Sequence, residues 1–436
     1  MFGLFASQDK KMRENAANWL ELADKVYHYR RDVLTETQVG ELQSRTAELK
    51  ALVKEKAGAE KVKLGIERLE EVMQRTGGSI YPKTALVENI EFFLVAAIVI
   101  LGIRTYFVQP FKIPTNSMWP TYNGMTPEVY RTKEEEPNAA AVAARTVLFG
   151  AWPHRLDAPA DGEIMIPIDG LARRSIVGAE PARGRTWLVI PTDVREYSIV
   201  VGNSVVKTKL PLDFDFDWAV YDAFFSTGPE DTYSGEKLSR AISQKIAARQ
   251  VEYRVIGGQQ VRCIRTGKFV KAGDRVMAFD EMTGDQLFVD RMSYHFMQPK
   301  VGQGFVFRTD HIDSPFMRGA DGGPLEQYYI KRLVGGPGDT LEIQEPVLLR
   351  NGQPITGSVA FASNADRSGN YSGYKSFGEL EAGRKLTIPK GNYFAMGDNS
   401  ANSQDSRYWG TIPAKDVVGR PLFIYYPFNR HWGPAR

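Results

Sequence analysis

An uncharged apolar run over residues 92–103 constrains this chain more than any other feature. Its flanks extend it to 86–108, which reaches the roughly 20 residues that a helix needs to cross a bilayer. Glu88, Glu91 and Arg104 lie near the ends, where long charged side chains can reach the headgroups. The run begins behind a long polar segment, so a cleaved signal peptide fits poorly. We predict an uncleaved transmembrane signal anchor over 86–108. The flanking charges leave its orientation open.

The segment before the anchor, residues 1–83, has helical periodicity. Apolar positions in 15–26 fall on one face, and a second, highly charged run over 36–75 is interrupted at 57–59. We predict an N-terminal α-helical hairpin in the cytoplasm. Two roles remain open for it, an interaction element or a self-packed hairpin with solvated charges.

Beyond residue 122 the pattern changes to short β-type runs punctuated by glycine and proline, as in 251–256, 305–307 and 328–334. One helix candidate interrupts them at 235–250, and the charged stretch 133–136 with the small residues 138–144 after it is interpreted as a surface excursion. At 436 residues the chain is too long for one ordinary domain.

Composition excludes several classes of function. The formal net charge of +3 gives no support for nucleic-acid binding. Cys263 is the single cysteine, so neither an intramolecular disulfide nor a thiolate metal cluster can form. The five histidines are scattered without metal-ligand spacing, which disfavours a zinc hydrolase, and each is predicted to be a surface or packing residue.

Two segments combine a reactive side chain with nearby proline or glycine residues that restrict or turn the backbone. Ser117 lies just beyond the anchor, between Pro114 and Pro120, where no regular helix can pass. Lys331 lies in a β-type run, on the same face as Tyr329. Such a lysine either reaches water from an edge strand or lies in an apolar pocket, and a pocket would lower its pKa.

A third segment, residues 397–410, reads GDNSANSQDSRYWG. Its small polar side chains favour a fixed loop, which an Asp–Arg pair can brace. A calcium loop is the alternative, but the closing glutamate is missing and Arg407 would compete for the acids. With Ser117 and Lys331, this loop predicts acyl-transfer chemistry of the serine–lysine type, which works without histidine.

The motifs carry a family resemblance. Residues 113–121, IPTNSMWPT, resemble the nucleophile box of bacterial type I signal peptidases, and residues 330–339, IKRLVGGPGD, resemble their general-base box. Residues 397–410 look like their terminal box, and 284–307 are similar to the strand pair between the first two boxes. The four motifs stand in the family's order behind an anchor. The resemblance covers 89–122 and 284–429.

The resemblance implies a fold and an activity. The fold would be a mainly β catalytic domain over 109–122 and 284–436, interrupted by an inserted α+β domain of unknown role, 123–283. The activity would be that of a membrane-anchored serine endopeptidase that removes N-terminal signal peptides from exported preproteins and cuts after small residues. No cofactor is implied.

The same resemblance implies a place and partners. The chain would cross the bacterial cytoplasmic (inner) membrane once, with its catalytic domain on the outer, periplasmic face. Its partners would be preprotein signal peptides, membrane lipid and the secretion machinery.

The resemblance assigns roles by matching position. Ser117 would be the nucleophile and Lys331 the general base, with Thr115 supplying the oxyanion-hole hydroxyl and Ser403 orienting the lysine amine. The remaining assignments are three residues that brace the terminal loop (Asp398, Asp405 and Arg407) and three that bind substrate (Ile113, Pro114 and Met118).

The sequence departs from the family at four places, one of which is the extra N-terminal hairpin over 1–83. Asn116 stands where a glycine is usual, and Thr115 replaces the more frequent serine. If residue 116 needs a positive φ, asparagine is the next most tolerant residue. The remaining departure is the insertion 123–283, which joins the chain beside the nucleophile and either shapes substrate access or is peripheral.

Two other functions were weighed. One is a catalytically inactive relative that binds preproteins or acts as an envelope scaffold, which the intact set of Ser117, Lys331 and Ser403 disfavours. The other is a different serine–lysine hydrolase, such as a self-cleaving repressor-type protease, which the anchor and the terminal box disfavour.

Overall fold

The computed structural model describes residues 8–168, 176–186, 190–228, 230–319 and 322–435. The helices are α1 Gln8–Arg30, α2 Glu36–Lys54, α3 Ala59–Thr76, α4 Ala85–Tyr106, α5 Ala139–Phe149, α6 Phe216–Phe224, α7 Gly235–Ala247, α8 Ser293–Phe296, α9 Val359–Asp366 and α10 Ser406–Trp409. The strands are β1 Val108–Lys112, β2 Thr126–Tyr130, β3 Ala151–Asp157, β4 Gly162–Ile168, β5 Ala179–Thr186, β6 Ile190–Val201, β7 Ser204–Pro211, β8 Val251–Ile256, β9 Gln259–Val270, β10 Arg275–Met282, β11 Gln286–Asp290, β12 Gly304–Arg308, β13 Tyr328–Gly335, β14 Thr340–Gln344, β15 Val347–Arg350, β16 Gln353–Pro354, β17 Leu386–Thr387, β18 Asn392–Met396, β19 Ile412–Pro413, β20 Val417–Tyr426 and β21 Gly433–Pro434.

The N-terminal region is a three-helix unit, where the sequence pattern predicted a two-helix hairpin. The predicted break at 57–59 does separate α2 from α3, but α1 is a separate helix that packs on both. Alanine, valine and leucine side chains from all three helices form one buried cluster. The helices bury each other's apolar faces in this way, which the amphipathic pattern alone could not distinguish from a pair.

Helix α4 corresponds to the predicted anchor. It is the one helix, among the residues described, that is long and apolar enough to cross a membrane by length and composition. It ends at Tyr106, two residues before the predicted boundary, because the chain becomes extended at Val108 and pairs with β11.

The main sheet runs in the order β1-β11-β20-β12-β13-β18-β19, with β21 paired to β20. A four-stranded sheet, β16-β15-β14-β17, shares a buried hydrophobic cluster with strands β13 and β18 of the main sheet. β13 lies inside the main sheet, because β12 and β18 pair with its two edges. This position decides the environment of every side chain on β13.

The inserted segment, 123–283, contains two further sheets. One is β2-β10-β3, and the other is β5-β6-β4-β9-β8 with β7 paired to β6. The predicted helix over 235–250 appears as α7. The predicted surface excursion at 133–144 contains a 3-10 turn and the start of α5, whose N-cap is Asn138, and neither element has a buried residue. The insertion belongs to the same compact unit as the main sheet, residues 102–436.

Candidate active site

Ser117 lies in a short 3-10 turn, Asn116–Met118, in the loop that follows β1. Asn116 closes this loop, because its amide nitrogen donates to the Met125 carbonyl at 2.7 Å and its side-chain oxygen accepts from the Gly124 N–H at 3.0 Å. The φ of Asn116 is not in the left-handed region. The asparagine is therefore a hydrogen-bonding clamp, and this backbone does not need a glycine here.

Lys331 is 4% exposed, although it carries an amine. Its strand is internal to the sheet, so of the two environments that the sequence left open, the structure has the buried one. Lys331 Nζ lies 2.5 Å from Ser117 Oγ. It also lies 5.5 Å from the centre of the Tyr329 ring, on the same face of β13.

Burial lowers the pKa of Lys331 to about 8, because the ammonium form loses its hydration. The carboxylates of Asp405 and Asp398 oppose this shift, and the guanidinium of Arg407 adds to it. A lysine with this pKa is partly neutral at physiological pH. It can therefore accept a proton from a hydroxyl at hydrogen-bonding distance.

Arg407 and Asp405 hold the terminal loop from within. They form a buried bidentate ion pair, with N–O distances of 2.8 and 2.7 Å. Arg407 also donates to the hydroxyl and the carbonyl of Ser400, each at 2.8 Å. Burial acts to raise the pKa of Asp405, but Arg407 outweighs it and holds that pKa below its usual value.

Asp398 has a different partner from the one that the sequence indicated. It accepts two hydrogen bonds from Arg332, at 2.7 and 2.6 Å, and one from the Thr121 hydroxyl at 2.6 Å. It therefore ties β13 to the nucleophile loop instead of bracing the terminal loop alone. Sequence reasoning missed Arg332. Its signal was an arginine inside an apolar strand, which requires a buried acid.

The terminal loop also contacts the nucleophile turn directly. The Asn399 N–H donates to the Ser117 carbonyl at 3.1 Å, and the Asn399 side chain donates to the Asn116 carbonyl at 3.1 Å. These contacts fix the backbone on both sides of Ser117 to the loop that carries Asp405.

Thr115 and Ser403 are the other two residues that were predicted to be catalytic. Thr115 is exposed and immediately precedes the 3-10 turn, and its side chain does not cap it. Ser403 is 4% exposed, and its hydroxyl has no hydrogen-bond partner among the described residues. The predicted hydrogen bond from Ser403 to Lys331 is therefore not formed in this structure. A Cβ on Gly397 would lie 2.2 Å from Ser403 Oγ, so this close packing requires the glycine.

The predicted substrate-binding residues divide into two groups. Pro114 is exposed. Ile113 and Met118 are 3% and 0% exposed and belong to a hydrophobic cluster with Leu287 and Val306. Those two side chains are thus part of the core beneath the loop and do not form an open pocket wall here.

Among the residues that the structure describes, one group of side chains has metal-ligand geometry. Ligand atoms of Asp310, His311 and Asp416 lie within 4.8 Å of one another. His311 Nδ1 is already 2.6 Å from Asp416 Oδ1, so these two side chains are hydrogen-bonded to each other. The group lies between the end of β12 and the start of β20 and includes none of the predicted site residues.

Comparison with known proteins now defines the class. Residues 266–426 match the family model described as signal peptidase, peptidase S26. The chain is 34% identical over 171 residues to the probable signal peptidase I-1 of Synechocystis sp., a match that covers 38% of this chain and 76% of that protein. It is 35% identical over 141 residues to the signal peptidase I of Bacillus licheniformis, covering 30% of this chain and 73% of the relative.

These matches identify a serine peptidase. The chain belongs to the signal peptidase I family. A solved signal peptidase I from Enterococcus faecalis is also similar, with 27% sequence identity and a TM-score of 0.21, over 28% of this chain and 97% of that one.

Proposed function

We propose that this protein removes N-terminal signal peptides from exported preproteins and cuts after small residues, with Ser117 and Lys331 as a catalytic dyad. The observation that carries the proposal is the 2.5 Å separation of Lys331 Nζ and Ser117 Oγ in a buried environment. The names of the relatives support the substrate class, since each is a signal peptidase I.

The first half of the reaction forms an acyl-enzyme. The neutral Lys331 amine takes the proton of Ser117 as Oγ attacks the scissile carbonyl carbon. The Ser117 N–H and the Thr115 hydroxyl stabilise the oxyanion of the tetrahedral intermediate. The intermediate then collapses, the C–N bond breaks, and the Lys331 ammonium returns its proton to the departing amine of the mature protein.

The second half releases the signal peptide. Lys331, neutral again, takes a proton from a water molecule that attacks the ester carbonyl. The Ser117 Oγ–carbon bond breaks and the serine recovers its proton from Lys331. The Ser403 hydroxyl, which lacks a partner among the described residues, would take a hydrogen bond from the lysine amine as the amine moves between Ser117 and water.

We also propose the arrangement in the cell. Helix α4 would anchor the chain once in the cytoplasmic membrane, with the three-helix unit in the cytoplasm and residues 109–436 on the outer face. Lipid and the secretion machinery would be its neighbours there. In this arrangement Ser117 follows the span by eleven residues in the chain and lies on the outer face, the side on which exported preproteins emerge.

The test compares the natural chain with Ser117→Ala and Lys331→Ala in cleavage of a purified preprotein in detergent. Each substitution should lower the rate by at least about 10³-fold, because neither residue acts without the other. Thermal unfolding of each variant checks that the fold is retained. Near-normal cleavage by a folded variant would refute the dyad, and no cleavage by the natural chain would favour the inactive, preprotein-binding alternative.

A further inference from the structure

An aromatic contact joins the insertion to the nucleophile turn. Trp218, on α6, and Trp119 form a T-shaped contact, with ring centroids 5.3 Å apart and planes at 80°. Trp119 lies two residues after Ser117, is 9% exposed, and donates its backbone N–H to the Asn116 carbonyl at 3.2 Å. The insertion therefore packs on the same turn that presents the nucleophile.

Trp218 is itself held firmly by its own segment. Its indole N–H donates to Asp222 at 2.9 Å, and its ring stacks on Tyr233 with centroids 5.4 Å apart and planes at 16°. Its backbone N–H donates to Asp215 at 3.3 Å. A side chain restrained at its ring, its polar atom and its backbone can resist displacement of what it packs against.

The same part of the insertion also reaches the terminal loop. Glu236 lies 3.6 Å from the Lys375 amine. The backbone of Lys375 is in turn bonded to that loop, since its carbonyl accepts from Arg407 at 2.8 Å and its N–H donates to Ser400 Oγ at 2.9 Å. The insertion thus contacts the nucleophile turn directly and is linked to the terminal loop through Lys375.

We propose that α6 positions the catalytic serine, with Trp218 as a positioning residue that acts through Trp119. The proposal rests on the proposed function, because it assumes that Ser117 is the nucleophile. On this view the insertion is part of the catalytic centre and not a peripheral addition. Small displacements of a nucleophile are costly, since a misplacement of about 1 Å can lower a rate about 10²-fold.

The first test is the kinetics of Trp218→Ala in the full chain, in detergent, with a preprotein substrate. We expect kcat to fall at least about tenfold while KM stays within about twofold, because the chemical step and not the binding of substrate is affected. Trp218→Phe keeps an aromatic edge and should restore most of kcat. Trp152→Ala, which removes a 60% exposed tryptophan from the same insertion, is the matched control and should leave kcat unchanged.

A double-mutant cycle tests the route of the effect. If Trp218 acts through Trp119, the combination of Trp119→Leu and Trp218→Leu should lower kcat no further than the worse single variant. Multiplying effects would overturn the proposal. So would an effect on KM alone, or a loss of kcat that Trp218→Phe does not restore.

The two proposals fail differently. If the Trp218→Ala variant is fully active while the Ser117→Ala variant is inactive, the positioning role is refuted and the catalytic dyad is supported. Activity retained by Ser117→Ala would refute the dyad first.

Discussion

The pKa of Lys331 gives the sharpest quantitative prediction, and the perturbation is pH. The neutral amine is the reactive form, so the rate should follow its population. With a pKa of about 8, about one enzyme in eleven carries a neutral lysine at pH 7. With an ordinary lysine pKa of about 10.4 the fraction would be smaller by a factor of a few hundred, which corresponds to about 3 kcal/mol.

These fractions fix the shape of the profile. Between pH 6 and 8 the rate should rise about 50-fold, and between pH 8 and 9 by less than about twofold. An unperturbed lysine would instead give about a tenfold rise over that last unit. The sign follows from burial, which destabilises the ammonium and so makes the base available at lower pH. Above the plateau the rate should fall as other groups titrate.

The assay is kcat/KM for a preprotein in detergent from pH 6 to 9.5, because this ratio reports the ionisation of the free enzyme. Thermal unfolding at each pH separates titration of the site from loss of the fold. The residual activity of Lys331→Ala supplies the background and should lack the rise. A profile flat from pH 5 to 9, or one still climbing tenfold between pH 8 and 9, would refute a buried lysine base.

Three further substitutions test the structure around the dyad. Asp405→Asn leaves the Arg407 guanidinium buried without its carboxylate and should destabilise the unit 102–436 by about 3–5 kcal/mol in denaturant unfolding. Asp193→Asn is the control, because it breaks an exposed pair with Arg183 and should not move the unfolding midpoint. Thr115→Val should lower kcat about 10²-fold or more through loss of the oxyanion donor, with Thr115→Ser close to the natural rate and no change in thermal midpoint. Gly284→Ala places a Cβ 1.8 Å from the Ile113 carbonyl oxygen and should cost more than about 2 kcal/mol, while an alanine at Gly235, which has open space, should cost nothing measurable.

Much of the site was accessible from the sequence because short motifs carry it. The apolar run before Ser117 and the alternation around Lys331 predicted the anchor helix and the face that Lys331 shares with Tyr329. What alternation could not decide was whether β13 lay inside or at the edge of its sheet. That depends on the pairing of β12 and β18, which are remote in the chain.

Other features had no local signal. Arg332 in its apolar strand indicates a buried acid, but nothing local shows that this acid is Asp398, whose own loop already offers Arg407 as a partner. The contact between Trp119 and Trp218 joins segments about a hundred residues apart, and the sequence pattern of neither segment predicts the contact. The helical stretch 15–26 was indicated by the sequence, but its packing on α2 and α3 was not, because an amphipathic stripe indicates that something covers it but not how many helices do so.

Lys331 and Arg332 are neighbours in one strand and point to opposite sides of it. One amine faces Ser117 and one guanidinium faces Asp398. A shift of β13 by a single residue would exchange them. The Arg332 guanidinium, which does not deprotonate, would then face Ser117. The Lys331 ammonium, which cannot donate two parallel hydrogen bonds, would face Asp398. The register of β13 against β12 and β18 is therefore fixed by chemistry as well as by packing. The junction at residues 123 and 283 sets no such register, because Asp285 and Asn123 are hydrogen-bonded to each other there and close the loop. Variation in length should accumulate at that junction and be purged from β13.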